Sequence, residues 1–274
     1  MAAIRWICLS ATFLLTLLLV GLGFQPTQAQ EPPSGTIPPP IFLPLIARED
    51  PLPPPASYEA LPVESRADNR PAATHADLNL ALRGYTPTTA SLALVDLNGD
   101  TDPQAPQLAS IFSPTRLPSI TAAFQVFDWD WNCGDDGCRG DPLTAWEATM
   151  IEAATEPSEP LYLPARGPEI HSGGYRALVL YAEPRRLTLA YTRRDGADHG
   201  YVLHLEDIQV DAGLVALYQQ LDAAGRQQLP ALRNGERLGY ASRSGRIRLA
   251  IRDTGEFLDP RSRKDWWVGF LMSN

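Results

Sequence analysis

Between Leu187 and Ile208 the chain reads LTLAYTRRDGADHGYVLHLEDI, and no other stretch limits the possible folds as tightly. Leu187, Leu189 and Tyr191 alternate with Thr188, Ala190 and Thr192, the period-two pattern of a half-buried strand. Arg194–Asp198 is polar and contains Asp-Gly, a strong hairpin dipeptide. Tyr201, Leu203 and Leu205 resume the alternation, with Val202 and His204 on the opposite face. Two alternating strands joined through a turn pair antiparallel, so the expected class is mainly β, an antiparallel sheet or barrel-like domain. His204 is the one ionisable side chain on its face of this segment, which makes it the first candidate for chemistry.

The remaining patterns agree with that class. Strands are expected over Leu78–Leu82, Leu92–Leu97, Ser119–Trp131, Leu161–Leu163, Tyr175–Tyr181, Arg237–Tyr240, Arg246–Arg252 and Phe257–Leu258. Trp146–Ala154 reads as a surface segment. One helix is expected to be inserted: Asp211 is a good N-cap, Leu214, Leu217, Tyr218 and Leu221 recur at helical spacing, and Gly225 and Pro230 stop it.

Residues 1–29 form a signal peptide. Arg5 precedes an apolar run from Ile7 to Phe24, and Thr27-Gln28-Ala29 places cleavage after Ala29. An uncleaved anchor is the alternative, because the run approaches spanning length; a membrane is expected to matter only through this segment. Residues 30–73 form a disordered Pro-rich linker, with PPSGTIPPP and EDPLPPP favouring extended chain. The apolar island Ile41–Ile46 within it is either a short docking strand or surface-anchoring signal, or simply a sticky piece of linker. Residues 74–155 make a β-rich N-terminal part, in the same domain or its own, and residues 156–274 a second β region. A leader implies secretion or a place at the cell surface. The net charge of −9 argues against indiscriminate nucleic-acid binding.

Several residues could carry a site. After cleavage two cysteines remain, Cys133 and Cys138, and in an oxidising compartment they are expected to form a disulfide. Asp96, Asn98, Asp100 and Asp102 place oxygen ligands at alternate positions, as a calcium loop does. However, Thr101 stands where such a loop needs glycine and Gln107 where it needs a bidentate glutamate, so an acidic turn is the preferred reading. Arg261, Arg263 and Lys264 adjoin Trp266 and Trp267, a pairing suited to stacking and charge on a polysaccharide or anionic polymer, or to capping the end of a barrel. No phosphate-binding glycine loop and no nucleophile turn is present, and no cofactor is expected.

The C-terminal segment Leu161–Pro260, roughly a third of the chain, resembles the lysostaphin-type zinc endopeptidase domain, a duplicated-hybrid-motif β fold. Tyr201-Val202-Leu203-His204-Leu205 stands where that family has Tyr-x-His-Leu. Gly235-Glu236-Arg237-Leu238-Gly239 matches its Gly-x-x-(Ile/Leu)-Gly turn, Arg246–Ile251 its final His-x-His strand, and Asp253–Pro260 its closing Asp-Pro phrase. Leu161–Gly167 resembles the strand and turn that open the barrel. The zinc ligands are not matched. Arg246 and Arg248 occupy the His-x-His positions, and arginine stays protonated and cannot bind zinc. The nearest His-x-x-x-Asp element is His171–Tyr175, with tyrosine for aspartate. Only His204 coincides with a catalytic position.

The resemblance therefore implies a fold more than an activity: a degenerate, non-catalytic relative, bacterial, secreted or envelope-bound, that binds cell-wall peptide or polysaccharide. Arg246 and Arg248 would then hold carboxylates or phosphates, or lie on a solvated strand face. The alternative is an active zinc endopeptidase on wall cross-bridges that uses a rearranged ligand set, with His204 catalytic.

Overall fold

A computed structural model describes residues 56–66 and 69–270. The leader, the proline-rich stretch up to Pro55 and the Ile41–Ile46 island lie outside the described residues. The strands described are β1 (Glu59–Pro62), β2 (Ser65–Arg66), β3 (Tyr85–Pro87), β4 (Ile120–Asp130), β5 (Cys138–Pro142), β6 (Met150–Ala154), β7 (Pro160–Tyr162), β8 (Tyr175–Glu183), β9 (Arg186–Ala190), β10 (Arg194–Asp195), β11 (Tyr201–Glu206), β12 (Ile208–Val210), β13 (Gln228–Arg233), β14 (Arg237–Ala241), β15 (Arg246–Asp253) and β16 (Glu256–Leu258). The α-helices are α1 (Leu80–Arg83), α2 (Ala212–Ala223) and α3 (Arg263–Trp266). With 40% strand against 14% helix, the fold is mainly β.

The large sheet runs β1-β13-β8-β9-β11-β15-β6-β4-β3, with β16 also on β15 and β5 also on β4. Every pairing in it is antiparallel. Strands β3 to β6 therefore continue the same sheet as the hairpin. A smaller sheet has the order β12-β14-β7, and α2 is inserted between β12 and β13.

Register explains the two faces. Leu203 lies opposite Leu189 and Ile251, and Leu205 opposite Leu187 and Leu249. Leu249 in turn faces Ile151, and Ile247 faces Ala153. These side chains all point into the main core, which also takes Leu214, Val215 and Tyr218 of α2. Each buried aliphatic side chain stabilises the fold by about 1.5–3 kcal/mol, and a slip of one residue would turn the whole row outward. On the other face His204 lies between Thr188 and Ala250, and Glu206 between Arg186 and Arg248. Arg248 faces Glu152. A second, smaller core of Leu80, Phe124, Val126, Met150, Ala250 and Phe257 covers part of this polar face.

The expected helix forms as written. The Asp211 side chain accepts from Gly213 N at 2.9 Å, and Gly225 follows the last turn at φ 91°, a conformation a β-carbon disfavours. The expected disulfide is present, with Cys133 and Cys138 Cα atoms 5.4 Å apart.

Four expectations need correction. Leu78–Leu82 is not a strand but a turn leading into α1, closed where Gly84 N donates to Leu80 O. Leu92–Leu97 forms no strand, only a single bridge from Val95 to Ser262, and Leu92 is half exposed. The end of Trp146–Ala154 is not surface: Met150–Ala153 is buried within the sheet, because β6 is covered on both faces and so lacks alternation. The 30–73 linker ends earlier than its composition indicates. Strand β1 pairs with β13 at an edge of the sheet, where Pro62 is tolerated and Leu61 reaches the core.

Candidate functional site

His204 sits on β11 with 1% of its surface exposed. Its Nδ1 lies 3.0 Å from Thr188 Oγ1, and that hydroxyl donates its proton to Leu78 O at 2.7 Å. With the hydroxyl proton used, Nδ1 must carry hydrogen and Nε2 must be the bare nitrogen. Nε2 has no hydrogen-bond partner among the described residues. Burial, then Arg252 and Arg83, outweigh the pull of Asp77 and push the imidazole pKa down to about 3. The ring stacks on Phe257 at 5.9 Å. A general base must reach its proton, directly or through one water; this ring is neutral at neutral pH but closed in.

Arg246 and Arg248 project from the same strand toward carboxylates of this chain. Arg248 binds Glu152 at 2.9 Å, Asp207 at 2.5 Å and the Tyr85 hydroxyl at 2.9 Å. Arg246, more exposed, reaches Glu152 at 3.3 Å. Burial works to raise Glu152, but Thr121, Arg248 and Arg246 hold its carboxyl below the ordinary glutamate value. Burial raises the neighbouring Glu206, against Arg186 and the Tyr85 hydroxyl. The arginines thus link β15 to β6 by charge-assisted bonds.

Both tryptophans of the C-terminal tail are buried. Trp267 is fully buried, its Nε1 donating to Pro260 O at 2.9 Å. Trp266 Nε1 donates to Asp259 O at 2.9 Å, and its ring stands edge-on to Tyr201 at 5.7 Å. The tail is locked by Arg261, which is buried against Asp259 at 2.7 Å and reaches Glu147 at 3.1 Å. Val95 brackets it, donating to Arg261 O and accepting from Arg263 N.

Trp266, Tyr201 and Trp146 are among the residues that line a cleft of about 430 Å³. The acidic loop reaches the same cleft through Asp100 and Asp102, and the end of β15 contributes Asp253, the direct cross-strand partner of Tyr201. Tyr201 donates to Asp102 Oδ2 at 2.9 Å. Burial, the bond to Asp102 and the charges of Asp102 and Asp253 push the phenol pKa up, so it remains a donor.

Several oxygens of the acidic loop are engaged within the chain. Asp96 pairs with Arg263 at 3.0 Å, and Asp102 is held by Tyr201 and by Gln104 N. Lys264, the chain's only lysine, donates to Gly99 O at 2.9 Å and Asp100 O at 2.6 Å, so an ammonium takes the loop carbonyls. No three His, Cys, Asp or Glu residues among those described converge as a metal site. His171 bridges to Tyr175 on a loop, and His199 pairs with Asp198 at 2.8 Å.

The structure thus joins two sequence candidates, the acidic loop and Trp266, while His204 and the Arg246/Arg248 pair stay together on the sheet's polar face. Trp146, Tyr201 and Asp253 were not among the candidates. Tyr201 begins β11 and Asp253 ends β15, so register pairs these two, while Trp146 comes from the loop before β6 and joins them only through tertiary packing. The chain matches no known family model and no curated protein.

Proposed function

We propose that the protein is a non-catalytic binding module of the cell exterior, and that a cell-wall polysaccharide lies in the cleft beside Trp146, Tyr201 and Trp266. The observation that carries this reading is the meeting of aromatic side chains with carboxylates in one open cleft. Trp146, half-buried where Tyr201 and Trp266 are buried, can offer its face to the apolar side of a sugar ring, while the carboxylates bond its hydroxyls. A disulfide and a leader support an exterior location, and no helix among the described residues is long and apolar enough to cross a membrane. The resemblance of Leu161–Pro260 to lysostaphin-type domains belongs to the same proposal, as a relative whose metal positions are now arginines in ion pairs.

The test uses residues 30–274. Insoluble wall glycan should retain the protein, with a change in tryptophan fluorescence. Trp146→Ala should weaken retention by about tenfold, the scale of a central aromatic contact. Unchanged retention by this variant would move the ligand elsewhere. About one bound zinc per chain together with wall hydrolysis would replace the proposal with an endopeptidase.

A further inference from the structure

The dipeptide Asn-Gly occurs twice in the chain, at Asn98-Gly99 and Asn234-Gly235, and the fold treats the two differently. Glycine has no β-carbon to shield its amide nitrogen, so an asparagine before it is open to attack by that nitrogen. In the turn between β13 and β14 this attack is blocked. Asn234 Nδ2 donates to Arg166 O at 3.0 Å, its Oδ1 accepts from Arg166 N at 3.1 Å, and Glu236 N closes the turn on Arg233 O. Asn98 stands on the loop that borders the cleft, where it, Gly99 and Asp100 are all exposed. Neither its side-chain amide nor Gly99 N has a hydrogen bond among the described residues. Lys264 holds the carbonyls of Gly99 and Asp100, which steadies the loop but leaves the Gly99 N–H free to react.

We infer that Asn98 is a site of spontaneous modification, where the folded chain converts its own asparagine to aspartate and isoaspartate through a cyclic imide. The Gly99 nitrogen gives its proton to solvent and attacks the side-chain carbonyl carbon of Asn98. A new C–N bond forms, the bond to Nδ2 breaks, and ammonia leaves. Water then reopens the ring at either carbonyl. Breaking the new bond leaves aspartate, and breaking the original peptide bond leaves isoaspartate. Water is the only co-reactant, and nothing is oxidised or reduced. The product places an added carboxylate on the rim of the cleft, which Lys264 also lines. Isoaspartate further lengthens the backbone by one carbon beside the carbonyls that Lys264 holds. The inference does not depend on what the cleft binds.

The experiment incubates folded residues 30–274 in mildly alkaline water enriched in the heavy oxygen isotope, and maps the incorporated label by peptide mass spectrometry. Asn98 should take up label about tenfold faster than Asn234, whose held backbone must first open locally. The same protein unfolded in urea should label both sites at like rates, because sequence alone then governs them. Asn98→Gln, which cannot close the five-membered ring, should abolish the fast uptake and leave that at Asn234 unchanged. Isoaspartate should accompany aspartate at residue 98. Equal rates at the two sites in the folded protein, or an Asn98 that stays unlabelled there while the unfolded chain reacts, would overturn the inference. Aspartate formed without any isoaspartate would mean direct hydrolysis and overturn the imide route.

Discussion

His204 and Asp77 show how one buried polar pocket makes the fold sensitive to acid. Asp77 bridges Arg83 at 2.6 Å and Arg252 at 2.7 Å. Burial works to raise its carboxyl, but the two guanidinium groups hold it at about 2. An unfolded aspartate titrates near 3.9, so the unfolded chain binds more protons between those values and stability falls as pH drops through that window. His204 acts in the same direction at higher pH. Its folded value is about 3 against about 6.5 in the unfolded chain, so stability falls from near pH 6.5 downward. Denaturant titrations from pH 7 to pH 3 should show this progressive loss. His204→Leu should flatten the part between about pH 6.5 and pH 4. It should cost little at pH 7, because it removes a buried nitrogen that has no partner and leaves the Thr188 proton on Leu78 O. A His204→Leu protein with the same pH slope as the parent would disprove this account.

At the scale of elements, α2 is held to the sheet by charge at one end and by packing along its face. Arg226, just past the helix, binds Asp195 of β10 at 2.5 Å and 2.8 Å, Tyr218 of the helix at 3.0 Å and Leu180 O of β8 at 2.8 Å. Both members of the Arg226–Asp195 pair are buried. Removing Arg226 leaves Asp195 with only Arg66, 3.6 Å away and partly exposed, and breaking such a buried pair costs about 3–5 kcal/mol. Arg226→Met should therefore destabilise by that order in urea unfolding, although Met fills similar volume. Asp195→Asn in the same background should recover part of the loss, and no recovery would show that the arginine acts by packing alone. The periodicity of Leu214, Tyr218 and the Asp211 cap made this helix visible in the sequence, since cap and stripe are local properties. The turn into α1 was not visible, because Leu78, Leu80 and Leu82 alternate like a strand until Asp77, Arg252 and Gly84 fix the backbone otherwise. Met150–Ala154 was misread for the opposite reason. A strand buried on both faces has no alternation to display.

Across the whole molecule, one long sheet divides a fully apolar core from a polar face, and the cleft opens where β11 begins and β15 ends. The disulfide staples the β4–β5 hairpin over a sequence separation of 5 residues. Closing so short a loop contributes only about 2 kcal/mol in the chain-entropy account. The Cys133→Ser/Cys138→Ser double variant should therefore stay folded, with a stability loss of about 2 kcal/mol by denaturant titration; global unfolding would assign the hairpin a larger part in the core. The hairpin, the helix, the disulfide pair and the mainly β class follow from the sequence by itself, because alternation, capping and cysteine spacing are encoded within about twenty residues of chain. The charge partners of Arg246 and Arg248, the enclosure of His204 and the meeting of Asp102, Trp146, Tyr201, Asp253 and Trp266 were decided by the tertiary structure alone. Those groups lie on strands, loops and α3 far apart in the chain, and sheet register together with loop packing sets which of them face one another.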